Sequence, residues 1–352
     1  MAKKNPPRGS ETTSRKQQHV SLVLRKDVRF KSKTTGFERF GFIHNALPEV
    51  SLSEIDTSVE FLHKRLRFPL IVSSMTGGYK GAEAINRDLA SVCAEKGLAM
   101  GVGSQRQALE NDRFHSTFRV VRDAAPDIPI IANIGAAQVA LLKSADEVKP
   151  LLEMVRADAL AVHLNPLQEL LQPEGQPDFR GVLRGIGMLT KTLPVPVIVK
   201  EIGTGISQQV ARRLLEAGVR CIDVAGAGGT SWAGVEALRS SDRAFAERFW
   251  DWGIPTAEAL RAVASLRKEG QVFTLVGSGG VESGRDVALC IALGADVAGS
   301  ARPLLQSLSR GGTASLRMTI AAWEKELRAI MFLTGSKTLR DLRAAPLYEE
   351  AS

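Results

Sequence analysis

The chain alternates short apolar, β-branched runs with longer stretches in which apolar residues recur at helical spacing. Eight of the apolar runs have the length of strands and are bounded by glycine or polar residues. They span residues 69–74, 98–103, 128–133, 159–164, 195–200, 220–226, 272–279 and 295–300. Near-continuous apolar strands are typical of parallel sheets that are covered on both faces. The pattern therefore predicts buried parallel strands.

Helical patterns fill the intervals between these strands, for example at residues 82–97 and 144–158. A third, at 207–218, also carries boundary signals, because Ser207 is suited to cap the helix and Gly218 to end it. Eight strand–helix units in succession predict an α/β protein with a (β/α)8 TIM barrel, and a doubly wound open sheet is the alternative. The interval between the sixth and seventh predicted strands is much longer than the others, which predicts an insertion after the sixth strand.

Polar or glycine residues follow each predicted strand. Because the active site of a (β/α)8 barrel is built at the C-terminal ends of its strands, these residues predict a shared site. The stretch "HLNPLQE" at 163–169 is the most polar of them and directly follows a buried run. Lys200 ends the fifth strand and predicts a cation at the barrel mouth, near a flavin or another anionic group. The glycine-rich turns at 277–284 and 299–302 predict a phosphate site made by backbone N–H groups.

Composition excludes several classes of protein. The 352 residues are 44% hydrophobic, which is enough for a large core. No apolar run is long enough to span a membrane, and the N-terminus lacks the apolar region of a signal peptide. The three cysteines, Cys93, Cys221 and Cys290, have no paired spacing, so we expect buried thiols and a cytoplasmic location.

The net charge of +8 is confined to residues 1–35, which contain ten Lys and Arg against two Asp and Glu. The rest of the chain is neutral, so it lacks the basic patch of a nucleic-acid-binding domain, and we expect no nucleic-acid partner. The basic arm could be a solvated tail, a nucleic-acid arm or a lid over a phosphorylated ligand. Residues 1–14 are predicted to be a disordered basic tail, and 15–345 a single barrel domain that includes the arm.

Ten stretches of the chain together resemble type II isopentenyl-diphosphate isomerases, a flavin-dependent family. In order, they are RKQQH (15–19), TTGFE (34–38), MTGG (75–78), GSQR (103–106), HLNPLQE (163–169), VKEIGTG (199–205), DVAGAGGTSW (223–232), GIPTA (253–257), GSGGV (277–281) and GADVAGSARPLL (294–305). The resemblance implies an allylic proton shift that interconverts isopentenyl and dimethylallyl diphosphate. It also implies reduced FMN, Mg²⁺, and NADPH or another reductant for the flavin.

The resemblance further implies roles for individual residues. The predicted FMN contacts are Ser74, Met75, Thr76, Ser104, Asn133, Lys200, Thr230, Gly279, Gly280, Ala301 and Arg302. The predicted substrate contacts are Arg15, Lys16, Ser104, Gln105, Arg106 and Gln168. The catalytic candidates are His19, His163, Asn165 and Gln168, and Glu169 is the predicted Mg²⁺ ligand. The tryptophans in the insertion, Trp232, Trp250 and Trp252, are predicted to be packing or subunit contacts.

An FMN-dependent oxidoreductase on the same barrel is the alternative function, either a 2-hydroxy-acid oxidase or an enzyme similar to inosinate dehydrogenase. It would explain the flavin and phosphate features. It would not explain a basic "RKQQH" arm together with "GSQR" and one metal-binding carboxylate. The expected partner is a small diphosphate substrate, with no membrane association, and the family resemblance implies a homotetramer or homo-octamer.

Overall fold

A computed structural model describes residues 8–350, with side chains from residue 14 onward. The strands are β1 (Phe40–Phe42), β2 (Val59–Phe61), β3 (Lys64–Leu66), β4 (Leu70–Val72), β5 (Ala99–Gly101), β6 (Ile130–Gly135), β7 (Ala159–His163), β8 (Val197–Lys200), β9 (Cys221–Asp223), β10 (Thr274–Ser278), β11 (Val297–Ser300) and β12 (Leu347–Glu349). Strands β4 to β11 are parallel to their neighbours and form a closed barrel, in which β11 pairs with β4. The predicted TIM barrel is confirmed, and the open-sheet alternative is wrong.

Helices surround the barrel, and α1 lies at the C-terminal ends of its strands. They are α1 (Arg8–Arg25), α2 (Ala82–Lys96), α3 (Arg106–Glu110), α4 (Ser116–Ala124), α5 (Ala136–Val139), α6 (Lys149–Val155), α7 (Pro166–Leu171), α8 (Val182–Thr192), α9 (Gln208–Glu216), α10 (Trp232–Ala237), α11 (Arg243–Glu247), α12 (Thr256–Ala264), α13 (Gly284–Ala292), α14 (Arg302–Thr334) and α15 (Leu339–Ala344). The backbone of α14 is non-helical at Gly311 and Gly312, so this helix is kinked there.

Successive side chains along each strand point alternately into the barrel and outward to the helices, so the core has an inner and an outer part. In β7, Ala159 and Ala161 belong to the cluster inside the barrel, whereas Leu160 and Val162 pack outward against the helices. This is the two-residue period of a strand that is buried on both faces. The interior cluster also contains Phe61 and Leu66 of the β2–β3 hairpin, so this hairpin contributes to the core inside the barrel.

The boundary signals of α9 act as predicted. The Ser207 hydroxyl accepts a hydrogen bond from Val210 N at 3.3 Å, which satisfies one free N–H of the first turn. Gly218 follows the helix with φ of +92°, in the left-handed region that glycine adopts without strain.

The N-terminal arm contains the helix α1, so residues 8–14 of the predicted disordered tail are helical. Residues 1–7 of that tail lie outside the described residues. The predicted insertion contains α10 and α11 and lies between β9 and β10. Within residues 8–350, no helix is both long and apolar enough to cross a membrane. The three cysteines are buried free thiols, as predicted.

Candidate active site

Two adjoining cavities lie at the C-terminal ends of the barrel strands. The first, here called the glycine cavity, is lined by the turns at 225–230, 278–282 and 299–303. The second, the cationic cavity, is lined by α1, the ends of β5 to β7 and α7. The two share six lining residues, namely His19, Ser74, Met75, Lys200, Ile202 and Trp232. Because their walls are shared, a ligand in one cavity can lie against a ligand in the other.

The predicted site residues divide between these cavities. The glycine cavity contains His19, Ser74, Met75, Lys200, Thr230, Gly279, Gly280, Ala301 and Arg302. The cationic cavity contains Arg15, Lys16, His19, Ser74, Met75, Thr76, Ser104, Arg106, Asn133, His163, Asn165, Gln168, Glu169 and Lys200. Every predicted site residue except Gln105 therefore lines at least one of them.

The glycine cavity has the features of a phosphate site. Gly279 and Gly280 have φ of +104° and +72°, and a Cβ on Gly279 would lie 2.1 Å from the carbonyl oxygen of Gly226. The turn after β10 can therefore pack only as glycine. Arg302 begins α14, and its buried Nε has no hydrogen-bond partner among the described residues. Burial lowers the pKa of this guanidinium, so a phosphate there would stabilise its charge.

Lys200 stands at the boundary of the two cavities, at the end of β8. Its Nζ donates a hydrogen bond to the carbonyl oxygen of Glu201 at 2.5 Å. On the neighbouring strand, the Asp223 carboxylate is 5% exposed and accepts a hydrogen bond from the Ser278 hydroxyl at 2.6 Å. Burial raises the pKa of Asp223, and the positive charge of Lys200 opposes that shift. The lysine can therefore balance a negative charge on a bound ring.

Glu201 fixes the loop that follows Lys200. Its Oε2 accepts hydrogen bonds from the backbone N–H groups of Ile202 and Gly203 at 2.6 and 2.7 Å. Its Oε1 accepts one from the Thr204 hydroxyl at 2.5 Å. This loop places Ile202 and Gly203 in the wall of the glycine cavity. Glu201 is therefore engaged with its own loop and does not line either cavity.

Besides Lys200, the cationic cavity is lined by three cations that lie away from the shared wall: Arg15 and Lys16 from α1, and Arg106 from the start of α3. Lys16 Nζ donates a hydrogen bond to the Ser104 carbonyl oxygen at 2.6 Å, and Arg106 Nε lies 3.7 Å from Glu110. Burial, with added repulsion from Arg15 and Arg106, lowers the pKa of Lys16 to about 7. Burial also lowers the pKa of Arg15. An anion bound between these groups would relieve their repulsion.

The stretch 163–169 brings a carboxylate and an unpaired amide oxygen to the same cavity. Pro166 begins α7, and Glu169 lies in its first turn. The Glu169 carboxylate accepts hydrogen bonds from Asn165 Nδ2 at 3.0 Å and from Gln172 Nε2 at 2.8 Å. Asn165 Oδ1 is buried and has no hydrogen-bond partner within residues 8–350. Two oxygens of this kind are suited to a hard cation.

The same described part of the chain contains no group of three or more His, Cys, Asp or Glu side chains that could hold a metal ion. A cation at Glu169 would therefore need most of its ligands from elsewhere. Mg²⁺ fits this condition, because it retains several waters and usually binds one or two carboxylates together with substrate phosphates.

His163 is held as a neutral ring. Asn133 Nδ2 donates to the Val102 carbonyl oxygen at 3.1 Å, so Asn133 Oδ1 accepts a hydrogen bond from His163 Nδ1 at 2.7 Å. Burial, followed by the charges of Lys200 and Lys16, lowers the pKa of His163 to about 3. At neutral pH this histidine therefore contributes hydrogen bonds and no positive charge.

The structure corrects two expectations. Gln105 is fully buried, and its Nε2 donates to the Leu151 carbonyl oxygen at 3.0 Å while its Oε1 accepts from Asn133 N at 2.9 Å. It lies behind the cavity wall and supports Asn133, so the predicted substrate contact is wrong. Trp232, predicted as a packing or subunit contact, lines both cavities and meets the His19 ring at 5.2 Å between centroids.

Sequence reasoning missed Glu236, a fully buried carboxylate on α10. Its Oε1 lies 2.8 Å from His19 Nε2 and accepts a hydrogen bond from Gln168 Nε2 at 3.1 Å. Burial would raise the pKa of Glu236, but His19, Arg239 and Gln168 together hold it below the ordinary value. The available signal was an acid within the otherwise apolar "WAGVEAL" of the insertion.

The chain is similar to known proteins over nearly its whole length. Residues 149–349 match the FMN-dependent dehydrogenase family. The isopentenyl-diphosphate delta-isomerase of Pelodictyon phaeoclathratiforme is 50% identical over 95% of this chain and 96% of its own. The enzymes of the same name from Chlorobium luteolum and Nostoc sp. are 51% and 45% identical, covering 95% and 96% of this chain and 95% and 97% of their own.

Two solved structures show the same fold. A lactate oxidase described as putative, from Pediococcus acidilactici, aligns with a TM-score of 0.69 at 16% identity, covering 99% of this chain and 97% of that chain. A mandelate oxidase with a monooxide FMN adduct aligns with a TM-score of 0.63 at 19% identity, covering 94% and 92%. At these identities the likeness extends to the barrel alone, whereas the isomerase relatives match at about half of all positions over nearly the whole chain. The chain therefore belongs to the isopentenyl-diphosphate delta-isomerase family, within the FMN-dependent dehydrogenase barrels.

Proposed function

We propose that this protein interconverts isopentenyl diphosphate and dimethylallyl diphosphate, using reduced FMN and Mg²⁺. The observation that carries the proposal is the pair of adjoining cavities. One has a glycine turn and a buried Arg302 Nε that has no hydrogen-bond partner among the described residues, and both features suit a phosphate. The other has Arg15, Lys16 and Arg106 crowded next to a carboxylate, an arrangement suited to a metal-bound diphosphate. The relatives that carry the isomerase name support this assignment.

The glycine cavity fits FMN. Gly279, Gly280, Ala301 and Arg302 would bind the phosphate. Ser74, Met75, Thr76, Ser104, Asn133, Lys200 and Thr230 would contact the rest of the flavin. When bound, reduced FMN supplies a proton-carrying ring nitrogen next to an alkene that is too weak a base for ordinary side chains. Lys200 would balance the charge of the reduced ring. NADPH or another reductant would supply the reduced form.

The cationic cavity fits the substrate diphosphate. Arg15, Lys16 and Arg106 would neutralise it, and Arg is suited to forked contacts with phosphate oxygens. Glu169 and the unpaired Asn165 Oδ1 would hold Mg²⁺ against the same group. An oxidase of a small hydroxy acid would need no such concentration of charge, so the isomerase explains the cavity better.

Apolar and neutral groups would surround the reacting carbons. Met75, Ile202 and Trp232 line both cavities and would exclude water from the allylic unit. Gln168 would contact the substrate, and its amide is oriented because Nε2 donates to Glu236 while Oε1 accepts from Asn165 Nδ2 at 3.1 Å. His163, being neutral, would hold Asn133 in place through Nδ1 without adding charge.

The proposal is tested by assaying isopentenyl diphosphate with purified protein, FMN, a reductant and Mg²⁺ under anaerobic conditions. We expect dimethylallyl diphosphate to form only when the flavin is reduced. Full activity of the flavin-free protein, or no activity of the reduced holoenzyme, would contradict the proposal.

Matched variants of two adjacent residues separate the metal role from the substrate role. Glu169→Gln should raise the Mg²⁺ concentration for half-maximal rate by about tenfold or more, because it removes the charge at the cation, and FMN affinity should stay unchanged. Gln168→Ala should lower kcat with little change in the Mg²⁺ requirement. The opposite pattern would show that the two roles are exchanged.

A further inference from the structure

We infer that Arg239 is a positioning residue that holds the arm helix α1 closed over the cationic cavity. Its effect on substrate binding rests on the proposed function, whereas its effect on α1 does not. Arg239 follows α10 and its side chain is only 9% exposed, yet it does not line either cavity. It therefore does not touch a ligand in the cavities and acts through other side chains.

The guanidinium of Arg239 joins three elements. Its Nε donates to Gln18 Oε1 on α1 at 3.2 Å, and its Nη2 donates to Glu174 Oε1, beyond α7, at 2.8 Å. Its Nη1 donates to Glu236 Oε2 on α10 at 2.5 Å. The planar fork of an arginine has donors in several fixed directions, so one side chain can hold three acceptors in a set arrangement. A lysine ammonium lacks this geometry.

These three elements supply different parts of the site. The arm helix carries Arg15, Lys16 and His19, α7 carries Gln168 and Glu169, and α10 carries Trp232 and Glu236. Apart from Arg239, the arm contacts α10 through His19, which lies 2.8 Å from Glu236 and packs against Trp232. The hydrogen bonds of Arg239 therefore fix α1, α10 and the segment after α7 relative to one another.

Arg239 also determines how Glu236 meets its other partners. With Oε2 bound by Arg239, the Oε1 atom of Glu236 faces His19 and Gln168. A fully buried carboxylate that loses its cation is strongly destabilised, so Glu236 would turn or take up a proton. Either change would release His19 on the arm and disturb the Gln168 amide.

The third acceptor places an acid near the arm cations. Glu174 attracts Arg15, which opposes the lowering of the Arg15 pKa by burial. Arg239 holds Glu174 by a direct hydrogen bond. Loss of Arg239 would therefore free this acid, and α1 would lose a second attraction to the rim of the cavity.

The experiment compares Arg239→Met with Arg243→Met in the FMN-loaded protein. Arg243 is a matched control in the same insertion, because it is exposed and pairs with Glu247 on its own helix. Hydrogen exchange of residues 14–25 measures closure of α1 without any substrate. We expect at least tenfold faster exchange in Arg239→Met, with FMN affinity unchanged, and no change in Arg243→Met.

Binding of inorganic pyrophosphate with Mg²⁺ gives a second readout. We expect its Kd to rise about tenfold or more in Arg239→Met, because the arm cations are displaced. In turnover, the kcat of Arg239→Lys should lie within about threefold of the wild-type value, since a cation again faces Glu236. KM should stay raised, because the lysine cannot hold all three acceptors.

Unchanged exchange of α1 in a folded Arg239→Met variant would overturn the inference, as would an equal effect of Arg243→Met. If Arg239→Met does not fold, Gln18→Ala and Glu174→Gln each remove one link, and each should accelerate exchange of residues 14–25; no acceleration in either variant contradicts the inference. If the wild-type holoenzyme lacks isomerase activity while Arg239→Met still accelerates exchange of α1, the proposed function is rejected and the role of Arg239 is retained.

Discussion

Among the buried atoms at the barrel mouth that have no hydrogen-bond partner in the described chain, two face a predicted cation or phosphate. They are Asn165 Oδ1 and Arg302 Nε. Leaving a buried polar group unpaired costs about 1–3 kcal/mol. Such a cost is expected where a ligand completes the hydrogen bonding, and each atom lies in a cavity whose other residues suit that ligand. In the described chain, the unpaired Asn165 Oδ1 therefore indicates where a cation would bind, and the unpaired Arg302 Nε indicates where a phosphate would bind.

Lys16 provides a pH test at this scale. With a pKa near 7, it is charged in the free protein at low pH and largely neutral above about pH 8. Binding of pyrophosphate at about pH 8 should therefore recharge it, with uptake of up to one proton per site. Lys16→Arg stays charged and removes this uptake, while the ionisation of pyrophosphate itself is common to both proteins.

The measurement is titration calorimetry at about pH 8 in two buffers of different ionisation enthalpy. We expect the wild type to take up more protons than Lys16→Arg. Its affinity should also fall relative to that variant, by up to about tenfold per pH unit above pH 7. Equal proton uptake in the two proteins would show that Lys16 does not gain a proton when the anion binds.

Single residues also show where sequence reasoning ends. Lys200 and Glu169 could be predicted as cavity residues because Lys200 ends a buried strand and Glu169 belongs to the polar stretch that follows another. Gln105 was misassigned because a position at a strand end does not reveal which way its side chain points. Glu236 was missed because its partners, His19 and Gln168, are brought to it only by the fold.

At the scale of elements, all eight barrel strands were predictable because each is an apolar run with glycine or polar boundaries. The insertion was located, but its role was not, since its helices are short and their apolar residues are consistent with simple packing. In the structure, α10 brings Trp232 and Glu236 to the mouth. The arm likewise was predicted as basic, and its helix from Arg8 was not.

The turn after β10 gives a prediction at this scale. Gly279→Ala should weaken FMN binding by about tenfold or more and lower stability, because its Cβ would lie 2.1 Å from the Gly226 carbonyl oxygen at a φ of +104°. Gly270→Ala is the matched control. Its φ is +84°, and its Cβ would meet nothing within 4 Å, so it carries only the backbone strain.

Fluorescence titration of FMN measures the affinities, and urea unfolding measures the stabilities. We expect Gly270→Ala to lose some stability and to keep its FMN affinity. An equal loss of affinity in both variants would mean that backbone strain, rather than the shape of the turn, weakens FMN binding.

At the scale of the whole molecule, the two ends of the barrel have different roles. The C-terminal mouth contains crowded cations and buried polar atoms that have no hydrogen-bond partner within residues 8–350. Near the opposite end, Arg122 of α4 is 4% exposed and donates to the carbonyl oxygens of Val155 and Ile128 at 3.1 and 3.0 Å. It also bonds Asp158, just before β7, at 2.7 Å. We expect paired groups of this kind to stabilise the barrel, and the unpaired atoms that line the two mouth cavities to bind ligands.

This division predicts that stability and function can be changed separately. Asp158 also accepts hydrogen bonds from Ile130 N at 2.7 Å and from Lys64 of the β2–β3 hairpin. Burial would raise the pKa of Asp158, but these contacts and Arg122 hold it below the ordinary value. The stabilisation is therefore present above about pH 4 and is lost as the pH falls through the folded-state pKa.

Arg122→Met should lower the free energy of unfolding by about 3 kcal/mol, because it leaves buried carbonyl groups unpaired and Asp158 with one cation fewer. Arg119→Met, on an exposed position of the same helix, should change stability by less than about 0.5 kcal/mol. Urea unfolding of both variants gives these values, and the loss of stability in Arg122→Met should become smaller as Asp158 is protonated at low pH.

At a temperature where both variants are folded, KM and FMN affinity should equal those of the wild type, because Arg122 is on the far side of the barrel from both cavities. A large rise in KM without loss of stability would show that the two ends are coupled, and the separation of stability from function would be wrong.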